Sequence, residues 1–209
     1  SHASRRHLPP PKPKALPSGS RFTSHASRRP SRHPNPKHSL PAHVSRVTHH
    51  ANPPMIKVIF ICLGNICRSP LAEGILAEEI LHQDLDWSVD SAGTSGWHAG
   101  ELPDKRSIDV AKQHKLDITS QRSRKIRTTD IEHFDLILAM DKQNLQDLKA
   151  YFMKDPHLHY KIKLISAFSN KFQDKDIPDP YYDNDGFEQV FEMLQDCIKG
   201  LLQTTHNIR

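Results

Sequence analysis

A parallel β-sheet covered on both faces by helices is the fold this sequence predicts, and three observations point to it. Apolar runs of strand length alternate with helical segments along residues 55–209. The first run, Val58-Ile59-Phe60-Ile61, and the core of a later one, Phe134–Met140, are continuously apolar, as in strands buried on both faces. The 155 residues after the first 54 also suit a single domain.

Each element has its own signal. Lys57–Leu63 reads as the first buried strand and Pro70–His82 as the helix after it. Trp87–Ser91 is a short strand, and Asp104–His114 is a helix with Pro103 just before it. Phe134–Met140 is the next strand, and Asp141 is placed as an N-cap for a helix to about Met153. Ile162–Ala167 reads as a fourth strand. Gly186–Gln203 carries apolar residues at Phe187, Val190, Phe191, Leu194, Cys197, Ile198, Leu201 and Leu202, the stripe of a helix packed on a sheet. Right-handed crossovers are expected, with ligands beyond the strand C-termini.

Composition divides the chain near Met55. Residues 1–54 contain no Asp or Glu but ten Lys or Arg, eight of the fifteen His and eleven of the sixteen Pro. Their formal charge is +10 against −5 for the rest, so the basic balance of the whole chain belongs to this segment. So few apolar residues cannot offset the entropy of ordering, and the segment is expected to be a disordered tail. Ser-His-Ala-Ser-Arg-Arg occurs at 1–6 and again at 24–29, too few copies for a stacked array. The segment lacks the apolar region of a secretory signal, and its prolines argue against an amphipathic transit helix. A targeting segment, a functional tail making weak anionic contacts and a merely appended stretch all fit it. Nucleic acid is not an expected partner of the domain. No apolar stretch is long enough to span a membrane. Three cysteines make no secreted disulfide framework, so a reducing cytoplasm is expected.

The chemistry concentrates in Cys62-Leu63-Gly64-Asn65-Ile66-Cys67-Arg68-Ser69, directly after the first strand. A cysteine and an arginine with five residues between them can close a loop around a tetrahedral oxyanion. Successive backbone N–H groups then form an anion nest, and Arg68 adds a bidentate fork. Ser69 and Pro70 open a helix whose N-terminal dipole adds positive potential. The plain structural alternative is a strand–turn–helix with a buried cysteine. An unperturbed thiol is only about 3% thiolate at neutral pH, and full ionisation gains at most ~30-fold. If the oxyanion is a transferred phosphoryl group, most of the acceleration must come from the amide cradle and Arg68.

Residues 55–209 resemble the low-molecular-weight protein tyrosine phosphatase family. Cys62–Pro70 resembles that family's phosphate loop, Asp179-Pro180-Tyr181-Tyr182 its acid loop, and Asp90–Trp97 its second loop. Ala139-Met140-Asp141, with Asn144 and Leu145, is similar to its third strand and following helix. The resemblance implies a flavodoxin-like three-layer α/β sandwich with a four-stranded parallel sheet. It also implies a phosphatase acting on phosphotyrosine proteins or small aryl phosphates, with no cofactor.

The resemblance implies Cys62 as nucleophile, Arg68 as transition-state cation and Asp179 as general acid. Composition alone does not choose Asp179 over Asp176, Asp183 or Asp185. Leu63, Gly64, Asn65, Ile66, Cys67, Ser69 and Ser91 would bind phosphate or support the loop, Asn65 in a left-handed conformation. Trp97, Tyr181 and Tyr182 would wall the substrate pocket, and plain loop packing is the alternative for the two tyrosines. Animal members of the family often carry a supporting His where this chain has Ser-Gln-Arg-Ser-Arg around Gln121. Cys67 is expected to be a resolving thiol for an oxidised Cys62, with a plain packing residue as the alternative. His82, His98, His114 and His133 are expected on surfaces, with no metal site. An arsenate reductase of the same fold is the nearest rival, but it would need redox cysteines downstream, where only Cys197 occurs. No Gly-Lys-Ser/Thr follows the loop, which excludes a nucleotide P-loop. A non-catalytic phosphate-binding module is disfavoured by the intact Cys62, Arg68 and Asp179.

Overall fold

The strand β1 (Ile56–Cys62) lies inside a four-stranded sheet, with β2 (Trp87–Gly93) on one side and β3 (Leu136–Ala139) on the other. β4 (Ile162–Leu164) completes the order β2-β1-β3-β4, and every pairing is parallel. Cys62 aligns with Gly93, and Ile61 with Ala139, so the C-terminal ends of the three strands open on one edge. The chain reverses its strand order between β1 and β3, which makes this edge the crevice of a doubly wound sheet. The computed structural model describes residues 55–183 and 186–206. The expected tail, residues 1–54, lies outside the described residues.

The sheet alternation decides the layers. Val58, Phe60 and Cys62 face a core shared with α1 (Arg68–His82), α2 (Lys105–Gln113) and α5 (Gly186–His206). Ile59 and Ile61 face a second core with α3 (Asp130–His133) and α4 (Lys142–Tyr151). This is the expected three-layer sandwich. All eight apolar positions expected on the last helix are buried. Its Gly200 is required by packing, because a Cβ there would lie 1.7 Å from the Phe168 carbonyl oxygen.

Strand and helix ends shift by one to three residues in several elements, β2 running on to Gly93, β3 shrinking to Leu136–Ala139 and α5 running on to His206, and three further differences bear on the fold. α1 begins at Arg68 rather than Pro70, so the arginine is its first residue and Pro70 sits in the first turn, where its missing N–H costs nothing. The fourth strand stops at Leu164, and Ile165–Phe168 is a 3₁₀ turn against which α5 packs. The short α3 was not read from the sequence; Asp130 holds its start by accepting from Arg127 N at 2.8 Å. Among the described residues no helix is long and apolar enough to cross a membrane.

Candidate active site

The Cys62–Ser69 loop owes its shape to donors that surround it. Its carbonyls are taken from outside by segments distant in sequence. Thr94 N donates to the Cys62 oxygen, and both Ser95 N and Ser95 Oγ donate to that of Leu63, each at 2.9 Å. Ser123 Oγ donates to Gly64 O at 3.0 Å, Asp104 N to Ile66 O at 2.8 Å, and Ser107 Oγ to Cys67 O at 3.3 Å. In a trans peptide the N–H points opposite to the C=O, so carbonyls turned outward leave amide edges facing the centre, as an anion nest requires. Asn65 N donates to Cys62 Sγ at 3.2 Å. Gly93 makes the close approach of β2 possible, since a Cβ there would lie 2.7 Å from Leu63 O.

Asn65 is in the left-handed region at φ 55°, the conformation expected for it. Its side chain fixes the hydrogen-bond directions beneath the loop. Oδ1 accepts from Arg124 N at 2.8 Å, so Nδ2 must supply both donors, to Ser69 Oγ at 2.9 Å and Ser91 Oγ at 2.8 Å. Each serine then has its own proton left to give. Ser69 Oγ lies 3.1 Å from Cys62 Sγ, and Ser91 Oγ donates to Glu73 Oε2 at 2.6 Å. The wire therefore ends at two groups, the Cys62 sulfur, on which the Ser69 hydroxyl and the Asn65 backbone N–H converge, and the Glu73 carboxyl. Burial pushes the Glu73 carboxyl up to about 7; the Ser91 hydrogen bond and Arg124 oppose the rise, and Asp90 adds to it.

Arg68, 3% exposed, reaches across to segments over 70 residues away. Nη1 donates to Asp141 Oδ2 at 2.6 Å and to Ile177 O at 3.1 Å, and Nη2 donates to Asp179 Oδ2 at 2.9 Å. Burial alone would lower the Arg68 pKa, but the charges of Cys62, Asp179 and Asp141 outweigh it and raise it above its ordinary value. Asp179 also caps the turn that follows, accepting from Tyr181 N at 3.2 Å. Of the neighbouring acidic residues, Asp176 accepts from Lys142 N at 3.0 Å and lies outside the lining of the Cys62 cavity, as does Asp183, while Asp185 is outside the described residues. That cavity, of about 220 Å³, has Cys62 and Arg68 in its lining together with Leu63, Gly64, Ile66 and Cys67. Trp97, Tyr181, Tyr182, His98 and Asp179 complete it. The whole set expected from the sequence is thus gathered in one place, with Asn65, Ser69 and Ser91 just beneath.

The model of the low molecular weight phosphotyrosine protein phosphatase family matches residues 57–208. The chain belongs to that family. It is 39% identical over 152 residues to the low molecular weight phosphotyrosine protein phosphatase of Homo sapiens, covering 71% of this chain and 95% of that one. It is similar to the crystal structure of a protein tyrosine phosphatase from Entamoeba histolytica, with TM-score 0.69, 33% identity, and coverage of 73% and 97% of the two chains. It is also similar to that of the Drosophila arginine phosphatase, with TM-score 0.68, 36% identity, and coverage of 72% and 98%.

Several residues of this phosphatase fold were not legible as site residues. Asp141 reads only as a helix cap; it does accept from Asn144 N through Oδ1, but Oδ2 holds Arg68. The available signal was its place directly after β3, beside β1 at the open edge. His82, His114 and His133 are exposed, as expected, whereas His98 is half-buried in the cavity wall with Nδ1 2.8 Å from Glu101 Oε2. Gln121 donates from Nε2 to Pro70 O at 3.2 Å and so supports the first turn of α1. Burial, reinforced by Asp104 and Cys62, pushes the Cys67 thiol up to about 12, which keeps it neutral and suits a packing group.

Proposed function

We propose that the chain hydrolyses phosphotyrosine and small aryl phosphate monoesters through a thiophosphoryl-enzyme intermediate. The observation that supports this reading best is the make-up of the 220 Å³ cavity: a cysteine and an arginine in its lining, a carboxylate beside the arginine, and walls of Leu63, Ile66, Trp97, Tyr181 and Tyr182. Those walls suit the flat apolar ring of a phenyl ester.

Cys62 Sγ attacks phosphorus, a P–S bond forms and the P–O ester bond breaks. Asp179 gives its proton to the departing phenolate oxygen. A water then attacks phosphorus while Asp179 takes its proton. The P–S bond breaks with its electron pair returning to sulfur, and inorganic phosphate leaves. The nest amides and Arg68 stabilise the equatorial oxygens throughout. To do so Arg68 turns its Nη2 edge from Asp179 toward the phosphate, which frees the acid at the same moment.

Two alternatives meet specific objections. Arsenate reduction by this fold would draw on a downstream cysteine, yet Cys197 is fully buried in α5, and burial, then Asp196, pushes its thiol up to about 12. The similarity to an arginine phosphatase raises phosphoarginine as a substrate. The cavity lining offers a guanidinium group one carboxylate, Asp179, which the reaction needs for proton transfer. All three cysteines are free, which suits a reducing compartment such as the cytoplasm.

The test compares kcat/KM for a phosphotyrosine peptide, a phosphoarginine peptide, and arsenate with thioredoxin. The phosphotyrosine peptide should lead, and Cys62→Ser should remove its turnover by a factor on the order of 10⁴ or more. A higher value for phosphoarginine or arsenate would overturn the proposed substrate. Turnover surviving in Cys62→Ser would overturn the mechanism.

A further inference from the structure

The acid loop is anchored at two ends, and the second anchor is a residue that neither the sequence pattern nor the proposed mechanism uses. Upstream of Asp179 the loop is tied to the sheet. Ile177 N donates to Met140 O at 2.9 Å, and Ile177 O accepts from Arg68. Downstream, the tie runs to the first turn of α2 through Arg106. Its Nη1 donates to Tyr181 O at 3.0 Å. Its other edge forms a two-pronged pair with Asp104, Nε to Oδ1 at 3.0 Å and Nη2 to Oδ2 at 2.9 Å. The guanidinium lies over the Phe187 ring, 4.6 Å from its centroid, and 5.6 Å from that of Tyr181.

Asp104 and its helix are themselves fixed to the phosphate loop. Asp104 N donates to Ile66 O, and Ser107 Oγ to Cys67 O. Asp104 also caps α2 by accepting from Arg106 N at 2.8 Å. One rigid path thus runs from the phosphate loop through Asp104 and Arg106 to Tyr181. Tyr181 is held at both ends of its own backbone: its carbonyl by Arg106, and its N–H by Asp179 Oδ1.

We propose that Arg106 is a positioning residue for the general acid, setting the height of Asp179 above Cys62 by clamping the acid loop to the phosphate loop. It lies outside the lining of the Cys62 cavity. A planar fork suits this task because it satisfies Asp104 with one edge, Tyr181 O with the remaining nitrogen, and an aromatic face at once; an ammonium group can do only part of this. The proposal rests on the reading of Asp179 as the acid.

The experiment measures kcat against leaving-group pKa for a series of aryl phosphates, and vanadate affinity, in the parent, Arg106→Gln, Arg106→Lys, Asp104→Asn and Asp179→Asn. Arg106→Gln should lose ~10-fold or more with poor leaving groups and less than ~3-fold with good ones, steepening the dependence in the direction of Asp179→Asn. Vanadate affinity should stay within about 3-fold, because the phosphate loop keeps its own donors. Arg106→Lys should recover only part of the loss. Asp104→Asn, which keeps the helix cap but removes the charged pair, should steepen the dependence to a smaller degree and guards against misfolding of the arginine variants. A loss of equal size across the whole series would overturn the positioning role, as would full recovery by lysine. A flat response in Asp179→Asn would remove the acid assignment, and the Arg106 proposal with it. A flat response confined to the Arg106 and Asp104 variants would overturn only the latter.

Discussion

Residues 62–69 and residues 176–183 approach each other at one cavity, and they are held in different ways. In the first segment Cys62, Asn65, Cys67, Arg68 and Ser69 are all buried, and outside donors occupy the carbonyls of five residues. The Asp179 side chain in the second is 41% exposed, Tyr182 is 94% exposed, and the loop hangs between ties at Ile177 and Tyr181. The difference fits the proposed chemistry. Charge stabilisation in the transition state gains most from dipoles that need no reorganisation, so the anion cradle is rigid. The proposed acid would have to swap a proton with a leaving group and then with water, and its place on an exposed rim suits that task.

The most severe break in this comparison is on the rigid side. Arg68→Lys keeps the charge but not the fork, and kcat should fall by ~10³ or more, as for other interactions made mainly in the transition state. Stability should suffer as well, because Asp141 would lose a buried partner. On the exposed side Asp179→Asn should slow poor leaving groups by ~10²–10³ while preserving the fold. Its melting temperature should stay close to that of the parent, since Asn retains the capping oxygen that Tyr181 N uses. A large drop in melting temperature for Asp179→Asn would show the acid loop to be as structural as the cradle, and the contrast between them would collapse.

The same contrast explains what the sequence could disclose. The cradle is eight consecutive residues whose chemistry is local, so Cys62, Arg68 and the strand-to-helix context are readable without a structure. The donors that shape it, Thr94, Ser95, Asp104, Ser107 and Ser123, arrive through tertiary folding and carry no local mark. Asp179 stood among similar residues and was singled out by family resemblance. Its distinguishing property is a 2.9 Å contact with Arg68, 111 residues away. Arg106 was hidden for the same reason, since an arginine in the first turn of an exposed helix reads as ordinary solvated charge. Helix periodicity gave α5 accurately, because its stripe reports burial directly, while the end of β4 was missed because an apolar run does not distinguish a strand from a 3₁₀ turn.

Asn65 separates the shape of the cradle from its hydrogen bonding. Asn65→Gly keeps access to the positive φ but removes both Nδ2 donors and the acceptor of Arg124 N. Asn65→Ala removes the same groups and adds roughly 1–2 kcal/mol of left-handed strain. Both should lose kcat by ~10–100-fold, because the Ser69 hydroxyl beside Cys62 Sγ loses the Asn65 Nδ2 donor that orients it. Thermal unfolding should then place the alanine variant below the glycine variant. Equal melting temperatures would mean that the loop relaxes when its side-chain anchor is gone, and that it is less rigid than its burial implies.

The smallest effect lies behind the cradle, at Glu73. Burial raises its carboxyl from 4.5 to about 7 in the folded chain, against the pull of the Ser91 hydrogen bond and Arg124. Between those two values the folded state binds more protons than the unfolded one, so this group makes stability fall as pH rises through the window. The penalty is absent below 4.5 and complete above about 7, at no more than roughly 3 kcal/mol. Glu73→Gln keeps an oxygen to accept from Ser91 Oγ and cannot ionise. The variant should therefore gain stability relative to the parent at pH 8 and lose that advantage at pH 5. Every other titratable group is common to both proteins and cancels in the difference. Urea unfolding of the pair at the two pH values measures it. A constant difference would mean that the carboxyl is not strained by burial and that the wire from Asn65 through Ser91 ends in an ordinary, solvated acid. A difference of the predicted sign would show that the rigid side of the site is built over a charge the fold would rather not hold.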